Sequence, residues 1–449
     1  MRGGNSMAPR RIEKANFPGM KGYDKKRLNK LLMYLNANNL YGWAMIQHLP
    51  TGGFRWLDLK DLPNFRTISP TAKRGSVWEV KLKYPKKLHP SHSDFPLCPE
   101  RRIVTREELS LEQDNMIEKL SNGKFAETEK LVATLETKDR YILHYTNLQQ
   151  CLNLGMELEH VYRVLEFDQL PWLEPYIMGN TQRRRNAKND FERDLWKLMN
   201  NAVFGKTMED VRRRKRIDLV RPIGEENCLR KMLADPALVG QKIFYGATIL
   251  DLSKYYMYDF WYNHIKRKYG NRAKLCYTDT DSFIIEIETE NVYDDMVEDA
   301  DLYDFSGYLE DHPLLKKLPP DQWITKPDGN RSKSYAIETE NMTKNIQKAK
   351  GLKKSLVNKE LTIDIYERCI LEGVEDKPQT ANFLRCERFV PYIIRQTKRS
   401  IHPLDSKRWL LIDRITTWAF GDCRIPIYIQ ALEKYGNDIP RKILASLDL

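Results

Sequence analysis

The stretch "LCYTDTDSFIIEIE" sets two carboxylates, Asp279 and Asp281, one residue apart between two apolar runs. Residues 273–277 and 282–287 have the length and pattern of strands, and the polar group 278–281 between them has the composition of a hairpin turn. Side chains alternate along extended chain, so both aspartates are expected on one face. Two like charges placed so repel until something neutralises them. Mg²⁺ does this with oxygen ligands from one or two carboxylates, completing its shell with water and substrate phosphates. The same residues also suit a solvated turn, where Asp and Thr are ordinary. A second group lies on an expected helix over 190–208, "DFERDLWKLMNNAVFGKTM", with apolar residues at 191, 195, 198, 199, 202 and 203. Lys197, Asn201 and Phe204 fall at i, i+4 and i+7, with Gly205 next, and form one stripe. A cation for phosphate, an amide and a flat ring for a base, and a residue without a side chain for close approach suit a nucleotide. A helix with a solvated lysine and a core-facing phenylalanine has the same pattern. A third group is "YLNANNLYGWAM", a strand expected to end in a turn at Tyr41 and Gly42, whose backbone N–H groups could cradle phosphate oxygens.

The elements that must position these groups are legible in outline. "ILDLSKYYMYDFWYNHIKRKYG" reads as a second amphipathic helix, ended by Gly270 and leading into the aspartate hairpin. Residues 50–135 mix short strand-like pieces with Pro-rich turns and a charged helix near 106–132. Arg183, Arg184, Arg185 and Lys188 precede the 190–208 helix and "VRRRKR" follows at 211–216. Such runs are commonly solvated surface, but flanking a phosphate-binding stripe they favour a polyphosphate or nucleic-acid backbone.

Composition sets the frame. The 449 residues are 41% hydrophobic and 10% aromatic, a folded chain long enough for about three domains' worth of core. Lys+Arg number 74 against 62 Asp+Glu, an excess of +12 that suggests a polyanionic partner. The 7 cysteines form no CxxC pair, which argues against a zinc module or disulfide framework and suits a reducing compartment. No apolar run approaches the length of a membrane span and the N-terminus lacks a signal-peptide core, so the expectation is a soluble, intracellular protein.

Taken in order, "NANNLYG", "KLMNNAVFGKT" and "YTDTDS" resemble motifs A, B and C of family B DNA polymerases, nearest the protein-primed branch of phages, linear plasmids, adenovirus-like elements and Polinton/Maverick transposons. The resemblance extends to "HPSHSDFPLCPE", "KDRYILHYTNLQQCLNLG", "WLEPYIMGNTQRR" and "DSKRWLL", and so to nearly the whole chain. It implies an α/β right-hand fold of palm, fingers and thumb with two insertions. Residues 1–58 would be the first palm part with motif A, 59–165 an insertion resembling the terminal-protein region, and 166–208 the fingers with motif B. Residues 209–248 would be the second insertion, 249–350 palm with motif C and a KxY element, and 351–449 thumb and C-terminal extension. The resemblance further implies that Asp279 and Asp281 are catalytic ligands for two Mg²⁺ ions, with Mn²⁺ as a substitute. It places Lys197, Asn201, Phe204, Arg184, Arg185, Leu40 and Tyr41 against the incoming dNTP, Tyr41 excluding a 2′-hydroxyl. It places Lys333, Tyr335, Gly205, Lys350 and Lys353 against primer–template DNA, with a terminal protein as a further partner.

Two positions depart from the family pattern. Motif A begins with a metal-bridging aspartate, and here that position is Asn36. "MRGG" aligns with a YxGG linker that joins exonuclease to polymerase, with Met1 in the tyrosine position, so a polymerase part without a proofreading domain is expected. The rivals are a catalytically inactive DNA-binding remnant, which Asn36 predicts directly, and a DxD metal-dependent glycosyltransferase, which needs neither the Lys197–Gly205 stripe nor the basic excess. A dehalogenase-like phosphatase is a poorer match, since its DxD motif opens the domain.

Overall fold

The alternating run "KLLMYLN" and the two runs around the aspartates fold as neighbouring strands of one sheet. The computed structural model describes residues 2–209, 240–303, 324–331, 334–339, 346–387 and 390–449. The central sheet uses β1 (Ser6–Met7), β2 (Lys30–Asn36), β9 (Ala273–Asp279), β10 (Ser282–Glu288), β11 (Ile324–Arg331), β12 (Ser334–Thr339) and β13 (Ile346–Lys348). Their order is β1-β9-β10-β2-β11-β12-β13, with antiparallel pairings. The β-branched run of β10 suits a central strand: Ile284, Ile285 and Ile287 are buried in the main core with Leu31, Leu32 and Tyr277. The expected hairpin is present, its strands two residues longer at the end of β9 and one longer at the end of β10.

Between β2 and β9 the chain builds a second sheet from β3 (Leu49–Leu57), β4 (Arg74–Lys83), β7 (Lys138–His144) and β8 (Glu157–Leu170), in the order β3-β8-β4-β7. β8 runs through the expected 165/166 boundary, and β3 belongs to this sheet although it precedes residue 59. The charged stretch near 106–132 is not one helix. Ser110 and Gln113 cap a helix over Leu111–Ser121, and Asn122 and Gly123, both at positive φ (49° and 73°), stop it. Residues 129–132 instead form β6 (Glu129–Val132), paired with β5 (Glu100–Ile103). The helix expected up to Gly270 is α-helical over Gly240–Asp259 and continues as a π-helix over Phe260–Lys266; Gly270, at φ 58°, closes it.

Beyond β13, helices Lys354–Glu360 and Ile363–Leu371 lead into a hairpin of β14 (Gln379–Glu387) and β15 (Val390–Lys398). The last fifty residues return to the body. Trp409, Trp418 and Tyr428 form a cluster with Val104 and Val132, and the buried Arg408 donates to the Ser93 carbonyl. No described helix is long and apolar enough to cross a membrane.

Candidate active site

Three strands bring the sequence-distant residues together. In the antiparallel ladder Asn36 at the end of β2 faces Ser282 at the start of β10, and the Ala37 N–H donates to the Asp281 carbonyl at 2.7 Å. Register partners lie about 4.5–5.5 Å apart at Cα, so Asn36 stands one residue from Asp281 across the sheet. Both line the same cavity of about 270 Å³, with Asn38 beside them. Asp279 ends β9, opposite Ser6 of β1.

The turn between the aspartates is tighter than simple alternation implies. Thr280 lies in the left-handed region at φ 64°, and its N–H donates to the Asn5 carbonyl at 2.7 Å. The hairpin tip therefore rests on the N-terminal segment. A Cβ at Gly4 would stand 2.1 Å from the Thr280 hydroxyl, so this approach requires glycine. Extended-chain alternation stops at Asp279, yet both carboxylates act on Tyr41. Burial first, then the charges of Asp281 and Asp279, raise the Tyr41 hydroxyl above its usual pKa. Asp281 is itself raised, by burial and by Asp279, against the lowering effects of Lys348 and Lys197.

Tyr41 and Gly42 lie on a helix, Leu40–Met45, rather than in the expected turn. Asn39 starts it in the left-handed region at φ 55°, and its side chain folds over Gly42, where a Cβ would meet the amide nitrogen at 1.9 Å. Leu40 is 3% exposed and belongs to the core, so its side chain does not face a nucleotide. Tyr41 stacks on Phe204 with ring centroids 4.0 Å apart and planes 11° from parallel. Phe204 thus meets a tyrosine ring, which joins the 190–208 region to the helix that follows β2.

Helices Glu174–Arg185 and Asp190–Thr207 form a groove above this point. Arg184, Arg185, Arg193 and Lys197 line it together with Asn38, Asn39 and Gly42, around about 720 Å³. The expected cations Arg184, Arg185 and Lys197 converge here. Asn201 and Gly205 are exposed on the same helix, and a Cβ at Gly205 would meet nothing within 4 Å, so the chain itself does not require glycine there. The expected helix is present over Asp190–Thr207, but its apolar residues Phe191, Leu195, Leu198 and Met199 are exposed, by 77%, 39%, 61% and 38%, while Asn200 is buried. The Asn180 amide donates to Asn200 Oδ1 at 3.0 Å, so these two helices are joined by a buried polar pair as well as by apolar contact.

Tyr335 is 2% exposed and packs on Tyr277 at 4.9 Å; burial, then Tyr34, Tyr277 and Asp279, raise its hydroxyl well above the usual range. Lys350 donates its backbone N–H to Ser334 Oγ, and Lys353 lies 5.2 Å over the Phe383 ring of β14. Lys333 and the 211–216 run lie outside the described residues. Sequence reasoning missed Lys348, which pairs with Tyr335 across β12–β13, sits 5.2 Å over its ring and acts on Asp281. Arg193 and the Asn180–Asn200 pair were missed as well.

Among the described residues one other group has metal-ligand chemistry: His89, Asp422 and Cys423. Its donors are engaged, since Arg424 takes both Asp422 oxygens and His89 Nδ1 accepts the Cys423 N–H.

No protein-family model matches the chain and no curated protein matches it. Solved structures do. Phi29 DNA polymerase complexed with primer-template DNA and incoming nucleotide substrates is similar at 14% identity and TM-score 0.47, over 89% of this chain and 60% of that one. The same polymerase with primer-template DNA gives 15% identity and TM-score 0.45, again over 89% and 60%. Its orthorhombic crystal form gives 14% and 0.47, over 90% and 61%. The chain spans about three-fifths of the length of these polymerase chains.

Proposed function

We propose that this chain is the polymerase part of a family B DNA polymerase of the protein-primed type, transferring a nucleotidyl group from a dNTP to a primer 3′-hydroxyl. One observation carries the reading. Asn36, Asp279 and Asp281 meet at one end of an antiparallel sheet, beside a groove lined by Arg184, Arg185 and Lys197, and the Tyr41–Phe204 stack joins the helix that carries Lys197 to the one that follows β2. A glycosyltransferase or dehalogenase-like phosphatase built on a parallel doubly wound sheet would hold its site at the carboxyl ends of parallel strands. The strand pairings here are antiparallel.

The donor set suits Mg²⁺ in part. Asp279 and Asp281 crowd two carboxylates, and burial and Asp279 raise the Asp281 pKa against the attraction of Lys348 and Lys197. That suits a hard cation. Asn36 offers one neutral oxygen where a bridging carboxylate would carry charge, so a second ion would depend more on triphosphate oxygens. When bound, Mg²⁺ would polarise the reacting phosphoryl oxygen and lower the pKa of the attacking hydroxyl.

The chain's own residues do the positioning. Arg184, Arg185 and Lys197 bind the triphosphate by charge-assisted hydrogen bonds. Tyr41, held flat by Phe204, forms the floor under the sugar and sterically opposes a 2′-hydroxyl. Lys197 and Lys348 favour the ionised form of Asp281. Lys350 and Lys353, with Lys333, serve primer–template DNA, while Tyr335, expected there too, is buried against Tyr277 and does not meet it.

The test is extension of a primed template in Mg²⁺ and in Mn²⁺, with binding of the same DNA measured in parallel. Asn36 specifically favours a second reading, a DNA-binding remnant. Salt-sensitive binding with no extension in either ion would establish the remnant, and absence of binding near 50 mM salt would sink both readings.

A further inference from the structure

A strongly charged cavity outside the candidate active site lies at the other end of β9. Lys274 is five residues from Asp279, about 17 Å along extended chain at roughly 3.4 Å per residue. Four distant stretches wall the cavity, which has a volume of about 470 Å³: Pro9–Arg10, Lys87 to Asp94, Lys266 to Leu275, and Thr416 to Asp448. Its lining carries Arg10, Lys87, Lys266, Lys274 and Arg424 against only Asp94 and Asp448, an excess of three positive charges.

The acids are largely committed. Asp94 Oδ2 accepts the Leu275 N–H at 3.3 Å, and Asp448 faces Arg424 at 3.4 Å. Arg424 is also locked by Asp422 and Arg10 is paired with Glu13, leaving the three lysines as the responsive cations. Lys87 is exposed and has no side-chain partner among the described residues. The Lys274 ammonium is 3.9 Å from Glu286, a loose contact. Lys266 donates to the Ala273 and Gly270 carbonyls, which leaves one of its three ammonium hydrogens. Burial lowers the Lys266 pKa and repulsion from Lys274 adds to this, against the attraction of Asp94.

The walls are rigidly joined. Arg10 bridges Thr416, the Arg10 N–H donates to the Cys276 carbonyl at 3.3 Å, and the Thr417 N–H donates to the Pro9 carbonyl at 3.1 Å. The Ala419 N–H donates to Ser93 Oγ at 3.2 Å. Such a site holds its cations together at a cost already met by folding, and a multiply charged anion would relieve their repulsion.

We infer that this cavity, formed by Arg10, Lys87, Lys266 and Lys274, is a phosphate-binding site separate from the candidate active site. Its ligand is a phosphate group, supplied either by a free polyphosphate or nucleotide or by the backbone of a nucleic-acid strand. The inference does not depend on the polymerase reading.

The experiment uses the full chain carrying Arg184→Ala and Lys197→Ala, which removes the cationic groove over the candidate active site. Tripolyphosphate binding is measured by calorimetry, and a fluorescent oligo-dT by anisotropy, near 50 mM salt. Adding Lys87→Ala and Lys274→Ala, both at exposed positions, should weaken tripolyphosphate about tenfold or more, since two charge-assisted hydrogen bonds to phosphate are lost. Lys87→Arg with Lys274→Arg should retain binding, and unchanged melting should show that the fold is intact. If oligo-dT weakens too, with a salt slope smaller by about 0.7 for each phosphate that is no longer neutralised, the source is a strand; if only tripolyphosphate weakens, it is a free polyphosphate. Either result supports the site. Equal binding by the neutralised variant, or no binding of either probe by the parent, would overturn it.

Discussion

The substitution Glu286→Gln should remove a pH dependence of stability built into the centre of the main sheet. Glu286 on β10 is 1% exposed. Facing it are Glu13 and Arg10 from the N-terminal segment, Lys30 of β2, and Lys274 and Cys276 of β9. Lys30 Nζ lies 3.0 Å from Glu13 and 3.4 Å from Glu286, while Arg10 contacts Glu13 directly. The cations thus favour ionised Glu13, and the proton stays on Glu286. Burial, then the hydrogen bond and charge of Glu13, lift Glu286 from 4.5 to about 7. Glu13 is held below its ordinary value: the Glu286 hydrogen bond, Arg10 and Lys30 overcome the raising effect of its burial.

The sign follows from which state binds the proton. Above about 4.5 the unfolded chain has released it while the folded chain retains it, so the stabilisation from Glu286 is complete below that pH. It is lost as pH rises through about 7. Glu13 acts in the opposite sense, and only in the window below 4.5. At about 1.36 kcal/mol for each tenfold in proton binding, the displacement sets a ceiling of about 3.4 kcal/mol, and sharing the proton with Glu13 reduces the expectation to roughly 1.5–3 kcal/mol. Glutamine resembles the protonated acid at every pH. The difference in unfolding free energy, variant minus parent, should therefore rise by that amount between pH 4.5 and 7.5, measured by urea titration. His92, lowered by burial to about 4, and His144, lowered to about 3, tilt both proteins alike and cancel. A difference that stays flat within about 0.5 kcal/mol, the usual scatter of additive sites, would refute the shared-proton account.

Three further outcomes are expected. Asn36→Asp should raise Mg²⁺-dependent primer extension by more than the 10–100-fold typical of an outer-shell ligand, and adding Asp281→Asn should abolish it in the same steady-state assay. Arg184→Ala with Lys197→Ala should raise the KM for dNTP about tenfold or more without moving the thermal midpoint, because the charge-assisted hydrogen bonds to phosphate can no longer form. Asn180→Ala should destabilise the chain by about 1–3 kcal/mol in urea, since it leaves the buried Asn200 carbonyl oxygen without its donor.

The hairpin was readable because strand period and turn composition agree there, and the order of the three motifs placed Asn36 beside it before any register was known. Tyr41 and Gly42 were misread as a turn because the helix start depends on Asn39 taking a left-handed conformation, which neither propensity nor pattern specifies. The apolar stripe at 191, 195, 198 and 199 follows the helix period but is exposed, and burial falls instead on Asn200 through a partner twenty residues upstream. Periodicity finds the helix; it does not say which face meets a neighbour. Lys348 was invisible because its role comes from lying opposite Tyr335 in the ladder, a long-range register that no local signal encodes.

The charge balance at the carboxylates gives Asn36 its physical meaning. Asp281 is acted on by Asp279, Lys197 and Lys348, so two negative charges face two positive ones before any cation arrives. A site balanced in this way offers an incoming divalent cation less net attraction than three carboxylates would. An aspartate at 36 would tip the sum to −1 and add a charged oxygen within one residue of Asp281. The gain from Asn36→Asp should therefore appear first as tighter Mn²⁺ binding, readable by paramagnetic titration without any turnover, and only then as extension. Tighter metal binding with no extension would put the lesion in the nucleotide groove or the DNA contacts. Unchanged metal binding would show that position 36 does not reach the ion, and the motif A assignment would fall with it.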